Sequence, residues 1–252
     1  MESTGGNSIA VDAVMTFSLE NRPLQMFTAP HLVAVAVIFV ICVSLVLAKD
    51  TLLDSEREKR FRMVMAVVIS VQEILLFVWY TWSGEWSVSR TLPIQLCDVS
   101  IFLAVAVLIT KNRYIAEVLY FWGFGGATQA ILTPDMGPHT FPHFVFYQFF
   151  LGHGLIVLTC IFITFDRNFR ITLKSVLRAF IITTIYGAII IPINAITGGN
   201  YLFLRYKPQG GTIMDFLGPW PWYLLSLEVV VIILFLLLYL PYAILPSAAR
   251  KK

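Results

Sequence analysis

Long apolar runs broken by short polar segments set the rhythm of this chain. Seven can be marked: His31 to Ala48, Met63 to Trp82, Ile94 to Thr110, Tyr114 to Leu132, Phe144 to Phe165, Ala179 to Thr197 and Tyr223 to Leu245. Each is close to the roughly 20 helical residues that cross about 30 Å of hydrocarbon. A helix pairs its own backbone N–H and C=O groups without water, which is the condition for crossing. The pattern therefore predicts an all-α polytopic membrane protein, a bundle of about seven transmembrane helices. It forms one domain over 31–245, between a short tail at 1–30 and a basic tail at 246–252.

Composition agrees with this pattern. Of 252 residues, 58% are hydrophobic and 13% charged, with a mean hydropathy of +0.79, more apolar than a water-soluble core requires. The first thirty residues carry Glu2, Asp12 and Glu20 and lack a basic stretch followed by a short apolar core, so they do not read as a cleaved leader. Thr28 and Pro30 suit the cap and first turn of the first span, since proline lacks the N–H that would be unpaired there.

Lys and Arg are divided unequally between alternate loops: fourteen on one side, four (Arg22, Arg90, Arg205, Lys207) on the other. Cytoplasmic loops retain positive charge, so the expectation is an N-terminus outside the cell membrane and a C-terminus in the cytoplasm. The net charge of +3 is accounted for by these flanks. No nucleic-acid partner is called for.

Charge and thiols inside the spans carry the chemical information. Cys42 and Cys160 lie in apolar runs, where a thiol behaves as a small hydrophobe. Cys97 differs, because Gln95, Asp98 and Ser100 surround it just after Pro93, at the mouth of the third span. An ionisable pair there costs free energy in lipid and is a functional pointer; a packed thiol is the plainer reading.

The remaining unusual polar residues fall mainly towards the outer half. They are Gln129 and Asp135 at the end of the fourth span, His139 and His143 in the next loop, His153 in the fifth span and Asn194 in the sixth. The long outer segment then adds Asn200, Tyr201, Arg205, Lys207, Asp215, Trp220 and Trp222. Grouping on one side is the pattern of a site. Plainer roles are an interfacial aromatic belt for Trp220, Trp222 and Tyr223, phosphate binding or snorkelling for Arg205 and Lys207, and interhelical hydrogen bonds for Asn194 and Gln129. Glu73, Glu117 and Glu228 are intramembrane acids with no partner evident in sequence. Gly123, Gly125 and Gly126 suit close helix contact.

His153, between Gly152 and Gly154, is the stronger candidate, with the flanking glycines leaving its ring open to a partner. A membrane thiol becomes nucleophilic only when a base or cation acts on it, and an imidazole is the natural base. Asp98 could orient that ring, and Asn194, Gln129 or a Trp N–H could donate to an oxyanion. Depth opposes the pairing: at about 1.5 Å per residue, Cys97 is roughly 6 Å past Pro93 and His153 roughly 15 Å past His143. His139 and His143 have the spacing of a metal pair, with Asp135 four earlier. Pro138 and Pro142 interrupt such a helix, so no metal and no cofactor are expected, with a zinc-assisted hydrolase as the alternative.

The segments LPIQLCDVS, YFWGFGGATQAILTPD, FPHF to FFLGHG, PINAITGGNYLFLRYKP and DFLGPWPWY resemble the bacterial YwaF-type membrane proteins over nearly the whole chain, from His31 to Pro246. That family is similar to vertebrate transmembrane protein 164, an acyltransferase that moves polyunsaturated acyl chains between phospholipids through a Cys and a His. It is similar, more remotely, to androgen-induced multipass hydrolases with Thr and His. The resemblance implies Cys97 as nucleophile and His153 as its base. Gln95 stands where related chains often carry histidine, and bacterial membranes usually lack polyunsaturated chains, so neither a second imidazole nor the vertebrate substrate transfers.

The expected function is acyl transfer or hydrolysis on glycerophospholipid esters at the outer leaflet, with membrane phospholipids as partners. Cys97 and His153 would be catalytic, Asp98, Gln95, Gln129 and Asn194 supporting, and Asn200, Tyr201, Arg205, Lys207, Asp215, Trp220 and Trp222 substrate-binding. The alternative is a transporter or lipid-binding scaffold in which Asp98, Glu73, Glu228 and His153 line a polar path. A seven-helix receptor is a third reading that helix count alone cannot support.

Overall fold

A computed structural model describes residues 26–52, 54–137, 139–166, 168–208 and 213–244. The tail residues Glu2, Asp12, Glu20 and Arg22, the loop residues Pro138 and Arg167, and the basic tail at 246–252 lie outside the described residues. The chain is all-helical there. Its helices are α1 (Ala29–Leu47), α2 (Lys49–Leu52), α3 (Ser55–Ser83), α4 (Leu96–Thr110), α5 (Arg113–Trp122), α6 (Thr128–Leu132), α7 (Phe144–Ile163), α8 (Leu173–Thr197) and α9 (Trp222–Ile244). A π turn, Gly123–Ala127, joins α5 to α6, and short 3-10 turns cover Tyr201–Phe203 and Ile213–Leu217.

Five of these helices, α1, α3, α7, α8 and α9, are long and apolar enough to cross a membrane. The other two expected spans are built differently. The third is the shorter apolar helix α4, and the fourth is α5, the π turn and α6 running on from one another. About seven crossings result, as the hydrophobic rhythm predicts. Helix ends differ from the marked runs mostly where polar residues continue a helix: α3 begins at Ser55 and α8 at Leu173, since charged side chains form helix well once it leaves hydrocarbon.

Caps explain where the helices start and stop. Thr28 is the N-cap of α1 with proline in its first turn. The Asp54 carboxylate takes the N–H of Glu56, and Gly84 at φ 72° ends α3. Lys111, at φ 54°, closes α4, and the side chain of Asn112 immediately caps α5 by accepting from Tyr114 and Ile115 N–H. So short a link forces α4 and α5 into an antiparallel hairpin.

α7 is the axis. Of its most apolar window 67% is buried, against 11% for α1 and α9, and it packs on α1, α3, α4, α5, α6 and the π turn. Glycines permit this crowding: a Cβ on Gly123 would stand 2.2 Å from Cys160 Sγ, and one on Gly154 would stand 3.2 Å from Ile38 of α1. The glycines of the fourth span therefore do serve close helix contact. Those beside His153 serve it too, which differs from the expectation that they free its ring: a Cβ on Gly152 would meet Gln72 Oε1 of α3 at 3.2 Å.

The intramembrane acids have partners. Glu117, 1% exposed, is paired with Arg113 at 3.0 Å and with Arg178, whose guanidinium also lies over the Tyr114 ring. Glu228 of α9 accepts from the Thr184 hydroxyl of α8 at 2.9 Å. Glu73 accepts from the Gln72 amide, which in turn receives a bond from Gln148 of α7.

Candidate active site

Cys97 stands at the second position of α4, with Gln95 as the N-cap. The first N–H groups of any helix have no partner within it, so the backbone around the thiol presents donors. The Asp98 carboxylate accepts the Gln95 N–H at 2.9 Å. It therefore fixes the start of α4, and among the described residues no hydrogen bond joins it to His153. The amide oxygen of Gln95 accepts the N–H of Leu202 at 2.9 Å, and the Gln95 and Asp98 side chains together form a capping box at the start of α4.

α4 is a short span. Fifteen residues give about 22 Å, well under the roughly 30 Å of hydrocarbon, so the segment before it dips into the bundle. Tyr186, about midway along α8, donates its hydroxyl to the Ile94 carbonyl at 2.7 Å. The segment just before the thiol is thereby tied to α8. Counted from the opposite ends, Cys97 is about 20 Å above Thr110 and His153 about 15 Å above Ile163, a difference of about one helical turn. A π turn with room for Leu96 at Gly126, where a Cβ would lie 3.3 Å from Leu96 Cδ2, seats this first turn of α4 against the fourth span.

His153 lies on α7, which packs on α4. Its Nδ1 is 2.7 Å from the Phe149 carbonyl of its own helix, and the Phe149 ring lies 4.1 Å from the imidazole. A carbonyl only accepts, so Nδ1 carries the proton and Nε2 is left with the lone pair of a base. Among the described residues no hydrogen bond joins His153 to Cys97. Cys97 shares the inward face of α4 with the closely packed Ile101, Ala104 and Leu108, and His153 lies on α7 among the closely packed Phe150, Ile156 and Val157.

The residues of the segment between α8 and α9 form a structure of their own. Fully buried Asn194 accepts from Tyr201 N–H at 2.7 Å and donates to the Tyr201 carbonyl at 2.9 Å. The Tyr201 hydroxyl accepts from Leu92 N–H at 3.0 Å and donates to the Val88 carbonyl at 2.7 Å. Burial holds this hydroxyl above its ordinary pKa, which keeps it a donor. Tyr223 donates to the Phe203 carbonyl. Leu202 and Phe203 are both left-handed, at φ 57° and 54°, a cost of about 1–2 kcal/mol each. With Gln95, six side-chain hydrogen bonds at about 1 kcal/mol net apiece outweigh that cost.

The other expected residues sit as follows. Asn200 is taken up by Arg205 N–H, Tyr206 N–H and the Tyr206 carbonyl. The Arg205 guanidinium donates to the Asn194 and Gly199 carbonyls at the end of α8, and Lys207 donates to the Asp215 carbonyl and lies over the Tyr223 ring. Trp220, Trp222 and Gln129 are exposed; the two tryptophans, with Trp82, Trp86, Phe141 and Phe216, make an aromatic fringe of the kind that marks a membrane interface. His139 bonds Glu85 at 3.0 Å and stacks on His143, whose Nδ1 caps α7 by accepting from Val145 N–H.

Sequence reasoning missed Tyr186, Phe149 and His31. His31, almost fully buried, accepts from Phe27 N–H and donates to the Ile131 carbonyl, tying α1 to α6. The only sequence signal for Tyr186 was a hydroxyl amid an apolar helix.

A bundle of apolar helices, five of them long and apolar enough to cross a membrane, defines a multipass membrane protein. The chain belongs to the TMEM164 family, whose model matches residues 26–239. An uncharacterized protein of Treponema pallidum (strain Nichols) is 29% identical over 158 residues, 60% of this chain and 62% of that protein; the chain thus spans about three fifths of that relative's length. No solved structure matches.

Proposed function

We propose that the protein is a cell-membrane acyltransferase or acyl hydrolase acting on glycerophospholipid esters, with Cys97 as nucleophile and His153 as base, in the outer leaflet of a chain whose N-terminus is extracytoplasmic. The observation that carries the reading is the tautomer of His153. With Nδ1–H given to the Phe149 carbonyl, Nε2 can take a proton on the helix next to the one that starts with Cys97.

In the first step Nε2 takes the thiol proton and the sulfur attacks the ester carbonyl. The tetrahedral oxyanion would be met by the Leu96 and Cys97 N–H groups, the first two of α4, where the helix end favours negative charge. His153 then returns the proton to the departing lysolipid alkoxide, leaving a Cys97 thioester. In the second step Nε2 deprotonates the incoming hydroxyl, lysolipid or water, its oxygen takes the acyl group as the C–S bond breaks, and the imidazolium returns the proton to the departing Cys97 thiolate. Asn194 is not needed as the oxyanion donor, since its amide is held by Tyr201. The exposed Arg90, with the free edges of Arg205 and Lys207, supplies charge for a headgroup phosphate.

The reading requires the thiol and imidazole, which share no hydrogen bond among the described residues, to come to bonding distance when substrate binds. The test is incubation of purified protein with a labelled phospholipid, followed by mapping of a Cys97 thioester and of transferred label. Cys97→Ala abolishes both; full turnover in that variant rejects the mechanism.

A non-enzymatic reading, a transporter or scaffold, draws on the Gln148–Gln72–Glu73 chain inside the bundle. It expects Gln72→Leu to abolish movement of a solute or lipid, with no thioester at any stage.

A further inference from the structure

His153 stands between Gly152 and Gly154. Glycine weakens a helix interior through its backbone freedom, so the turn that carries the imidazole has little stiffness of its own. Neighbouring helices hold it instead. From α1, Ile38 comes within 3.2 Å of where a Cβ on Gly154 would stand. From α3 comes Gln72, 5% exposed. Its Oε1 would be 3.2 Å from a Cβ on Gly152, and it accepts from Gln148 Nε2 at 3.0 Å. Gln148 and Gly152 are four apart and share one face of α7. The residues that follow them, Phe149 and His153, are the pair joined through Nδ1.

We infer that Gln72 is a positioning residue, which braces the glycine-flanked turn of α7 from α3 and so fixes the His153 imidazole as a base at the height of Cys97. The inference rests on the catalytic pair proposed above. Gln72 is itself anchored, since Nε2 donates to the Ile69 carbonyl at 3.2 Å and to Glu73 Oε2 at 3.3 Å. Its oxygen is thereby aimed at α7. Nδ1–H of His153 reaches the Phe149 carbonyl only while the turn between them keeps helical geometry. Slack at Gly152 frees the ring to leave that carbonyl and to take the other tautomer, which has no lone pair on Nε2.

The π turn shows why the height matters. Ile156, three residues past His153, would be 3.0 Å from a Cβ on Gly123, and Leu96, beside Cys97, would be 3.3 Å from one on Gly126. Consecutive crossings run in opposite directions, so Gly123 to Gly126 and Ile156 to His153 are parallel steps of about 4.5 Å each. His153 is therefore level with Leu96 and Cys97 to within about one turn. A base held at that level by a distant helix loses its place when the brace goes, even though neither member of the pair is altered.

The test compares the unaltered protein in phospholipid vesicles with Gln72→Met, which keeps the side chain's length and removes its amide. A double variant, Gln72→Met with Gln148→Met, leaves neither amide of this contact stranded. Two readouts are taken: the rate of Cys97 thioester formation on a labelled phospholipid, and the ring-nitrogen NMR spectrum of labelled histidine, with His153→Asn identifying the signal. The unaltered protein shows one His153 tautomer, protonated on Nδ1. Gln72→Met shows both tautomers, and its thioester rate falls about ten-fold or more at an unchanged half-saturating lipid concentration. The double variant regains most of the melting temperature, because replacing both partners of a buried bond is nearly neutral, but regains neither the rate nor the single tautomer. A mixture of tautomers in the unaltered protein, a rate and tautomer that survive in Gln72→Met, or a double variant that regains both would overturn the inference. Where the single variant fails to fold, the unaltered protein and the double variant decide. Absence of a thioester in the unaltered protein counts against the catalytic pair alone, and the ring spectra then decide the brace.

Discussion

The hydroxyl of Tyr186 reaches the carbonyl of Ile94 at 2.7 Å, and through that bond the middle of α8 holds the beginning of α4 inside the bundle. Replacement by phenylalanine keeps the ring against Trp122 and strands the Ile94 carbonyl. The expected loss is about 1–2 kcal/mol of stability, read as a lower melting temperature in detergent. A larger fall follows in Cys97 thioester formation, because the first turn of α4 loses its tie to α8.

Phe149 sets the face of His153. Phe149→Ala keeps the backbone carbonyl that takes Nδ1–H but removes the ring 4.1 Å from the imidazole. Thioester formation should fall about ten-fold or more, while Phe149→Tyr, which keeps a ring, retains most of it. The initial rate of acyl-enzyme formation checks both.

The Tyr201 hydroxyl makes two bonds from a buried position. Tyr201→Phe should cost about 2 kcal/mol at neutral pH. Burial raises the folded pKa of this phenol, so the folded chain disfavours the phenolate. Its stability contribution is whole below the unfolded value of about 10 and is lost as pH rises beyond it. The gap in melting temperature between the two proteins should narrow between pH 9 and pH 11 (about one unit either side); a constant gap would remove Tyr201 from the titration.

Gly123 is required by Cys160. With only 2.2 Å between an added Cβ and Cys160 Sγ, Gly123→Ala forces α5 and α7 apart at about 1–3 kcal/mol. Cys160→Ala in the same chain removes the sulfur and should restore part of that loss, since Ile156 still stands 3.0 Å away. Paired melting curves decide it; equal loss in single and double variants would mean that the helices meet elsewhere.

Glu117 is buried with two arginines. Arg178→Met leaves the carboxylate with Arg113 alone and should cost about 3 kcal/mol, near the low end for breaking a buried pair because Arg178 is partly exposed. The double change Glu117→Leu with Arg178→Met should cost less than the single one. Melting temperatures of the set provide the measurement.

Patterning was enough for the helices because both signals involved are local. Hydrophobic length predicts a span, and residues such as Asp54, Asn112 and Gly198 mark its ends through bonds or torsions within a few positions. The fourth span was read as one helix and is one path through the membrane. Its π turn is not legible, and neither are the side chains that crowd its glycines, Cys160, Leu96 and Leu234, which come from far away in sequence. The outer polar residues were legible as a group, but their work was not. By sequence Asn200, Tyr201 and Arg205 are groups for a substrate and Asn194 a supporting donor, yet each is bonded to the chain's own backbone.

What the amino-acid order determined by itself was a chain of apolar helices with a thiol at the head of one and an imidazole within another, because crossing hydrocarbon constrains length and polarity residue by residue. The fold alone decided that α8 holds the segment before the thiol, which nitrogen of His153 keeps a lone pair, and that Gln95 joins a strained turn to α4. Those facts are set by hydrogen bonds between positions as far apart as Ile94 and Tyr186 or Gln95 and Leu202, and no local pattern encodes which distant donor meets which acceptor.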